Sequence, residues 1–341
     1  MASATARWLP TTVALALALG PALAGAEEAL PAIYHLAGSM DPGVAVQVEL
    51  QIGKERITGS LVRAGDDRAV PLDGTVLADG HVELYLRGDF GRLAGTIRGT
   101  LRQEGPSGAW VLTGERRDDD GLNPRPLTLT EVARYVTLRA RQGDDLDVSC
   151  RYPVLLGTSP AIAEVNRRAA AEAMSWLGQA LAGEASGGPA PRGLRYEDTL
   201  VSDTPRLVSR LVRIETAGGT APPRVAYRAE NLEVVDGRVT PLRLGELFRA
   251  GSPYRQVLAT RALEELLRVV APGRVGGAVA RLREEDLQTF AVSPSALQFV
   301  VPAARAGTPG PDDVLVSVPL AGLAGLLDPQ GPLGSSGSAS R

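Results

Sequence analysis

Val44, Val46, Val48, Leu50 and Ile52 stand at every second position, with mostly small or polar residues between them. A period of two sends successive side chains to opposite faces of a pleated strand, so this run predicts a strand with one buried face. Shorter runs follow at Ile57–Val62, Val70–Leu77, Val82–Leu86, Leu93–Leu101 and Trp110–Thr113. Turn residues divide them: Gly53-Lys54, Ala64-Gly65-Asp66-Asp67, Asp79-Gly80, Gly88-Asp89 and the segment Glu104–Gly108. Asp-Gly accepts the positive φ angles of a type I′ turn, which makes Ala78–His81 a hairpin. Even spacing with tight turns predicts an up-and-down meander over residues 31–115.

Glycine recurs inside these strands, at Gly59, Gly74, Gly95, Gly99 and Gly114. An interior glycine weakens a strand and marks a bend or a close approach. Repeated in this way, it fits a coiled sheet closing into a small barrel. The preferred reading is that these glycines relieve crowding where the sheet curls. The alternative is a ligand-lined cavity, with Val44, Val46, Leu84 and Trp110 as its lining.

The pattern changes after residue 127. Arg134–Ala140 and Leu146–Tyr152 read as strands. Ile162, Val165, Ala169, Ala173, Trp176, Leu177 and Ala180 then fall on one face at helical spacing, with Ser159 or Thr158 as N-cap. Gly183–Gly193 ends that helix in a flexible loop. Leu207–Glu215 and Arg224–Val234 read as paired strands, Asp236-Gly237 as a turn and Leu244–Phe248 as a helical turn. Tyr254–Val270 reads as a helix burying Val257, Leu258, Ala262, Leu266 and Val269. Leu287–Val292, Leu297–Val301 and Val314–Val318 read as strands, and Leu320–Leu327 as a closing helix. The expected fold class is two domains: an all-β meander or small barrel at 31–115, then an α+β domain at 128–328. Residues 116–127 are expected as a solvated linker and 329–341 as a disordered tail.

Residues 1–26 have the form of a secretory signal: Arg7, the apolar run Thr12–Leu19, a break at Gly20-Pro21, then Ala24-Gly25-Ala26. The expected address is outside the cytoplasm, periplasmic or extracellular, with no stable membrane insertion after signal removal. Over 341 residues, 36 basic and 39 acidic side chains leave a net charge of −3, which argues against a nucleic-acid partner. Cys150 is the single cysteine, so no internal disulfide forms, and its expected state is a buried, inert thiol.

The two histidines, His35 and His81, and one cysteine are too few for a His/Cys zinc site, which takes three or four protein ligands. No metal and no cofactor is expected. Asp118-Asp119-Asp120 lacks the spacing of a calcium loop. The carboxylate groups Glu264-Glu265 and Glu284-Glu285-Asp286 stand among Arg261, Arg268, Arg281 and Arg283, which predicts surface ion pairs. No catalytic set is expected; a hydrolase using such a carboxylate pair, through Glu265 or Glu285, is one alternative.

Several features of residues 128–328 occur in an order that resembles the extracytoplasmic domain of lysozyme-sensing anti-sigma factors. The same domain-of-unknown-function family stands N-terminal to some peptidoglycan deacetylase domains. The features are Tyr152-Pro153 followed by a helix with Ile162, Val165 and Asn166; the strand Leu207–Glu215 leading to Gly218–Pro222; the run Leu232–Phe248; and the ending Phe290, Leu297-Gln298-Phe299, Val314–Pro319, Leu323, Leu326 and Leu327. The resemblance implies helices packed on an antiparallel sheet. It also implies a binding loop at Gly218, Gly219, Thr220, Ala221 and Pro222, in which Thr220-Ala221 replace the family's Ala-His. The expected function is an exported, non-catalytic binding or sensing protein of the cell envelope. Its partner is expected to be a protein such as lysozyme or a peptidoglycan fragment. A small-ligand carrier acting through the β domain is a further alternative.

Overall fold

The computed structural model describes residues 32–40, 44–63, 69–105, 107–142, 146–182, 193–218, 221–270, 282–306 and 312–334. The expected signal at 1–26, the turn at 64–67, the loop at 183–192 and the tail from 335 lie outside these residues.

Eight consecutive antiparallel strands form the first half: β1 (Ile33–Met40), β2 (Ala45–Ile52), β3 (Arg56–Arg63), β4 (Val70–Val76), β5 (His81–Arg87), β6 (Leu93–Glu104), β7 (Ala109–Asp118) and β8 (Arg125–Gln142). β8 returns to pair with β1 and closes the barrel, which leaves no free edge along the meander. The inward rows carry Leu36, Met40, Val46, Val48, Leu50, Ile57, Leu61, Leu84, Ile97 and Leu112, all buried. These side chains fill the interior, as expected of an eight-stranded barrel whose lumen is just wide enough for them. The carrier alternative needed a cavity here, and Val46 and Leu84 are instead part of the packed core.

The strand glycines occupy the same inward rows. In register, Gly99 faces Gly114 across β6 and β7. A Cβ on Gly99 would sit 2.2 Å from the Thr113 carbonyl oxygen, and one on Gly114 would sit 2.2 Å from that of Arg98. The barrel is coiled so tightly that neighbouring backbone occupies the space of a side chain, which agrees with the crowding reading.

Residues 116–127 correct the linker expectation. Their ends lie within β7 and β8, with a turn between. Arg116 is buried on the inward row and pairs with Asp118 at 3.0 Å. Local charge resembles a linker, but the alternation runs into it as far as Arg116 and resumes after the turn at Leu127 and Leu129, both core.

β8 is long enough to serve both halves. Its second part pairs with β9 (Leu146–Leu155). Next come helix α1 (Pro160–Leu181) and strands β10 (Gly193–Thr204), β11 (Leu207–Gly218), β12 (Ala221–Val235) and β13 (Arg238–Pro241). Among the described residues these strands continue the barrel into one sheet of thirteen. No break falls where two domains were expected, and the described residues cluster as one unit. The sheet is also not purely antiparallel: β9 and β10 run parallel, joined by α1 as the crossover. Ser159 caps α1 by accepting from the Ile162 amide at 3.2 Å. Ala169, Ala173 and Leu177 pack on Val148, Cys150, Tyr196 and Val212. Burial pushes the Cys150 thiol up to about 12, which keeps it protonated and inert at neutral pH.

A second sheet of β14 (Phe290–Val292), β15 (Ala296–Val301) and β16 (Val314–Pro319) packs with α2 (Tyr254–Val269) around Leu258, Leu266, Phe299 and Val316. Ser209, Asn231 and the backbone of β14 bind it to the larger sheet. Ser209 Oγ donates to Asn231 Oδ1 at 2.7 Å and accepts from the Val292 amide at 2.8 Å; Asn231 Nδ2 donates to the Phe290 carbonyl at 2.6 Å.

Local expectations fail in a few places. On α2, Val269 is exposed and Val270, just past the helix, takes the buried position. Glu284–Leu287 is a 3-10 turn, so Leu287 is not in a strand. The closing helix is a single 3-10 turn at Leu320–Leu323, after which Leu327 bridges to Phe248. The start of the tail is packed: Arg206 Nη1 donates to the Gln330 carbonyl at 3.0 Å, and Leu333 lies against the core. No helix among the described residues is long and apolar enough to cross a membrane.

Candidate functional site

The outer wall of the barrel forms one side of a cleft of about 450 Å³. Strand alternation explains the lining. Because Val46, Val48 and Leu50 point inward, Gln47 and Glu49 on β2 point outward, joined by Ser60 on β3. Thr199 on β10, Arg213 on β11 and Tyr227 on β12 form the second wall. The third is the β14–β15 turn, with Ser293 and Ser295, together with Gln298 and Ser317. Gln47 spans the first two walls, donating Nε2 to the Val201 carbonyl at 3.3 Å.

A buried polar group forms the floor. His35 and Glu49 are register partners on β1 and β2; ordinary strand alternation turns Leu36 into the barrel and His35 out of it, at the point where the β1–β8 register shifts. Glu49 lies 3.9 Å from His35 Nδ1 and 3.9 Å from Arg151 Nη1 on β9. The Arg151 guanidinium lies over the Tyr135 ring, 4.9 Å from its centroid. The Tyr135 hydroxyl accepts from the Leu200 amide at 3.1 Å, which anchors the floor to β10. Burial alone would raise the Glu49 carboxyl, but His35 and Arg151 outweigh it and hold the group below the ordinary carboxylate range. Burial pushes the Tyr135 phenol well above its usual value, so it stays neutral.

Asp203 stands beside this group. Burial raises its carboxyl to about 6, against an opposing pull from His35. An unfolded aspartate titrates near ~3.9. Because the folded value is the higher one, the stabilising contribution is complete below the unfolded value and is lost as pH rises through about 6. Asp203→Asn is therefore expected to raise the thermal midpoint at pH 8 and leave it unchanged at pH 4. Equal shifts at the two pH values in calorimetry, or none at pH 8, would contradict this.

The residues singled out in the sequence fall elsewhere, apart from His35. Gly218 and Ala221 are the last register pair of the β11–β12 hairpin, and Gly219 and Thr220 lie outside the described residues. Pro222 follows in β12. His81 is exposed at its turn, 2.9 Å from Asp79. The carboxylate groups form ion pairs away from the cleft: Glu265 with Arg268 at 2.7 Å, Glu284 with Arg255 at 3.2 Å, Glu285 with Arg283 at 3.0 Å and Asp286 with Arg305 at 3.0 Å. Glu264 is exposed on α2. Sequence reasoning missed the cleft. The available signal was a strand whose polar row, Gln47 and Glu49, keeps long hydrogen-bonding side chains beside a histidine in the preceding strand.

No family model matches the chain, and no curated protein matches it in sequence. Solved structures do resemble it. One neighbour is a DUF3298 family member from Bacteroides fragilis NCTC 9343, with a TM-score of 0.37 and 12% identity over 60% of this chain and 98% of the other. Another is a DUF3298 family protein from Pseudomonas aeruginosa PAO1, with a TM-score of 0.38 and 14% identity over 57% and 94%.

Proposed function

We propose that this chain is an exported, non-catalytic binding module of the cell envelope that holds a polar ligand in the cleft. The observation that carries the reading is the cleft itself. Three separate chain segments bring hydroxyl, amide and charged side chains around a volume within the ~300–1,000 Å³ range of small-molecule sites. The secretory form of residues 1–26 supports the envelope setting. So does the resemblance of residues 128–328 to the sensing domain of anti-sigma factors, with a cell-wall glycan or lysozyme as the candidate ligand.

Isothermal titration of the chain with a soluble peptidoglycan digest, and separately with lysozyme, tests the reading. Saturable heat is expected with one of them, weakened by Tyr227→Ala in the cleft wall. Absence of heat with both would overturn it. Loss of turbidity in purified cell walls treated with the chain would overturn its non-catalytic part.

A further inference from the structure

The floor of the cleft holds polar atoms that the fold leaves unsatisfied. The His35 side chain is 4% exposed, lines the cleft, and its Nδ1 has no hydrogen-bond partner. Arg151 Nε is likewise buried and without one. The Glu49 carboxylate faces both residues at 3.9 Å, close enough for charge attraction and too far for a direct hydrogen bond. A buried donor or acceptor left unpaired costs free energy, so a cluster of them in a cleft marks a place built to be completed from outside.

The charges limit what completes it. A carboxylate at this position would be repelled by Glu49. An ammonium would be repelled by Arg151. A hydroxyl satisfies both, because it donates to the carboxylate and accepts from the guanidinium in one geometry. The imidazole can take either part toward a neighbouring hydroxyl. Above the floor, Arg213 is already balanced by Glu215 at 2.8 Å and Glu197 at 3.7 Å. Gln47, Thr199, Gln298 and Ser317 on the walls are neutral donors and acceptors, and Tyr227 lines the same wall.

We infer that Glu49, Arg151 and His35 form a hydroxyl-binding subsite and that the ligand of this cleft is a neutral saccharide. The inference rests on the cleft being the binding site and adds the ligand's class. It excludes acidic peptides and ammonium-bearing ligands as the group seated on the floor.

The test uses the whole chain and three probes: the neutral tetramer of N-acetylglucosamine, an acidic stem peptide of peptidoglycan, and the unfractionated digest. The tetramer is expected to bind saturably, and the stem peptide is expected neither to bind nor to displace it. Glu49→Gln and Arg151→Lys are each expected to weaken the tetramer roughly tenfold or more, the scale of losing a hydrogen bond to a charged group. Their unfolding midpoints serve as the control for folding, and the peptide competition on the unaltered chain needs no variant. If the digest binds but the tetramer does not, or if the stem peptide displaces the tetramer, the saccharide inference fails while the binding reading stands. Unchanged tetramer affinity in both folded variants would also overturn it. If neither the digest, the tetramer nor lysozyme binds, the binding reading itself fails.

Discussion

Replacing Arg210 with methionine is expected to destabilise the fold by ~3–5 kcal/mol, the usual cost of breaking a buried ion pair from one side. Arg210 is 1% exposed and lies between α1 and the sheet. Its guanidinium pairs with Asp198 and with Glu230, and Glu172 on α1 stands 3.8 Å away. Asp198 is wholly buried, and burial together with the nearby glutamates raises its carboxyl to about 7 against the pull of Arg210. Without the guanidinium, Asp198 would have to stay buried and charged or take up a proton. The loss should therefore be larger at pH 8 than at pH 5, where protonation removes the uncompensated charge. Adding Asp198→Asn should recover part of it at pH 8 and little at pH 5. Urea unfolding at the two pH values measures both effects. A loss below ~1 kcal/mol at each pH would mean that the pair behaves like a surface salt bridge.

Gly99→Ala is expected to cost about 3 kcal/mol, the upper end for forcing atoms into packed space. The added methyl group meets the Thr113 carbonyl oxygen, a backbone atom, so relief requires β6 and β7 to separate. The same substitution in open space has the opposite sign. Gly178 lies in the last turns of α1, where a methyl group would meet nothing within 4 Å, so Gly178→Ala should stabilise by ~0.5–1 kcal/mol through helix propensity. Chemical denaturation of the two variants side by side separates crowding from chain entropy. Equal effects would show that the barrel glycines are not held by close approach.

The barrel was legible in the sequence because its rule is local. Alternation marks the inward rows, tight turns mark the hairpins, and glycines on the inward row mark the curvature. Closure by β1 and β8 could only be inferred, because that pairing joins residues about a hundred positions apart and leaves no local trace. β10 was missed for a specific reason. Leu194, Tyr196, Asp198 and Leu200 share its buried face, and the aspartate in that row reads as solvent-exposed until Arg210 is placed beside it. Arg210 conceals itself in the same way between Val208 and Val212. The cleft was illegible because Glu49 and Gln47 occupy the outward row of β2, which looks like an ordinary wet face. Only the later strands, arriving from β9 to β16, cover that face.

Hydrogen–deuterium exchange with and without a soluble peptidoglycan digest tests the central claim directly, because it reports where contact occurs. Slower exchange confined to β2, the middle of β11 and β12, and the turn at residues 293–296 is the expected result. Protection at other surfaces with these segments unaffected would contradict the assignment of the cleft as the binding site.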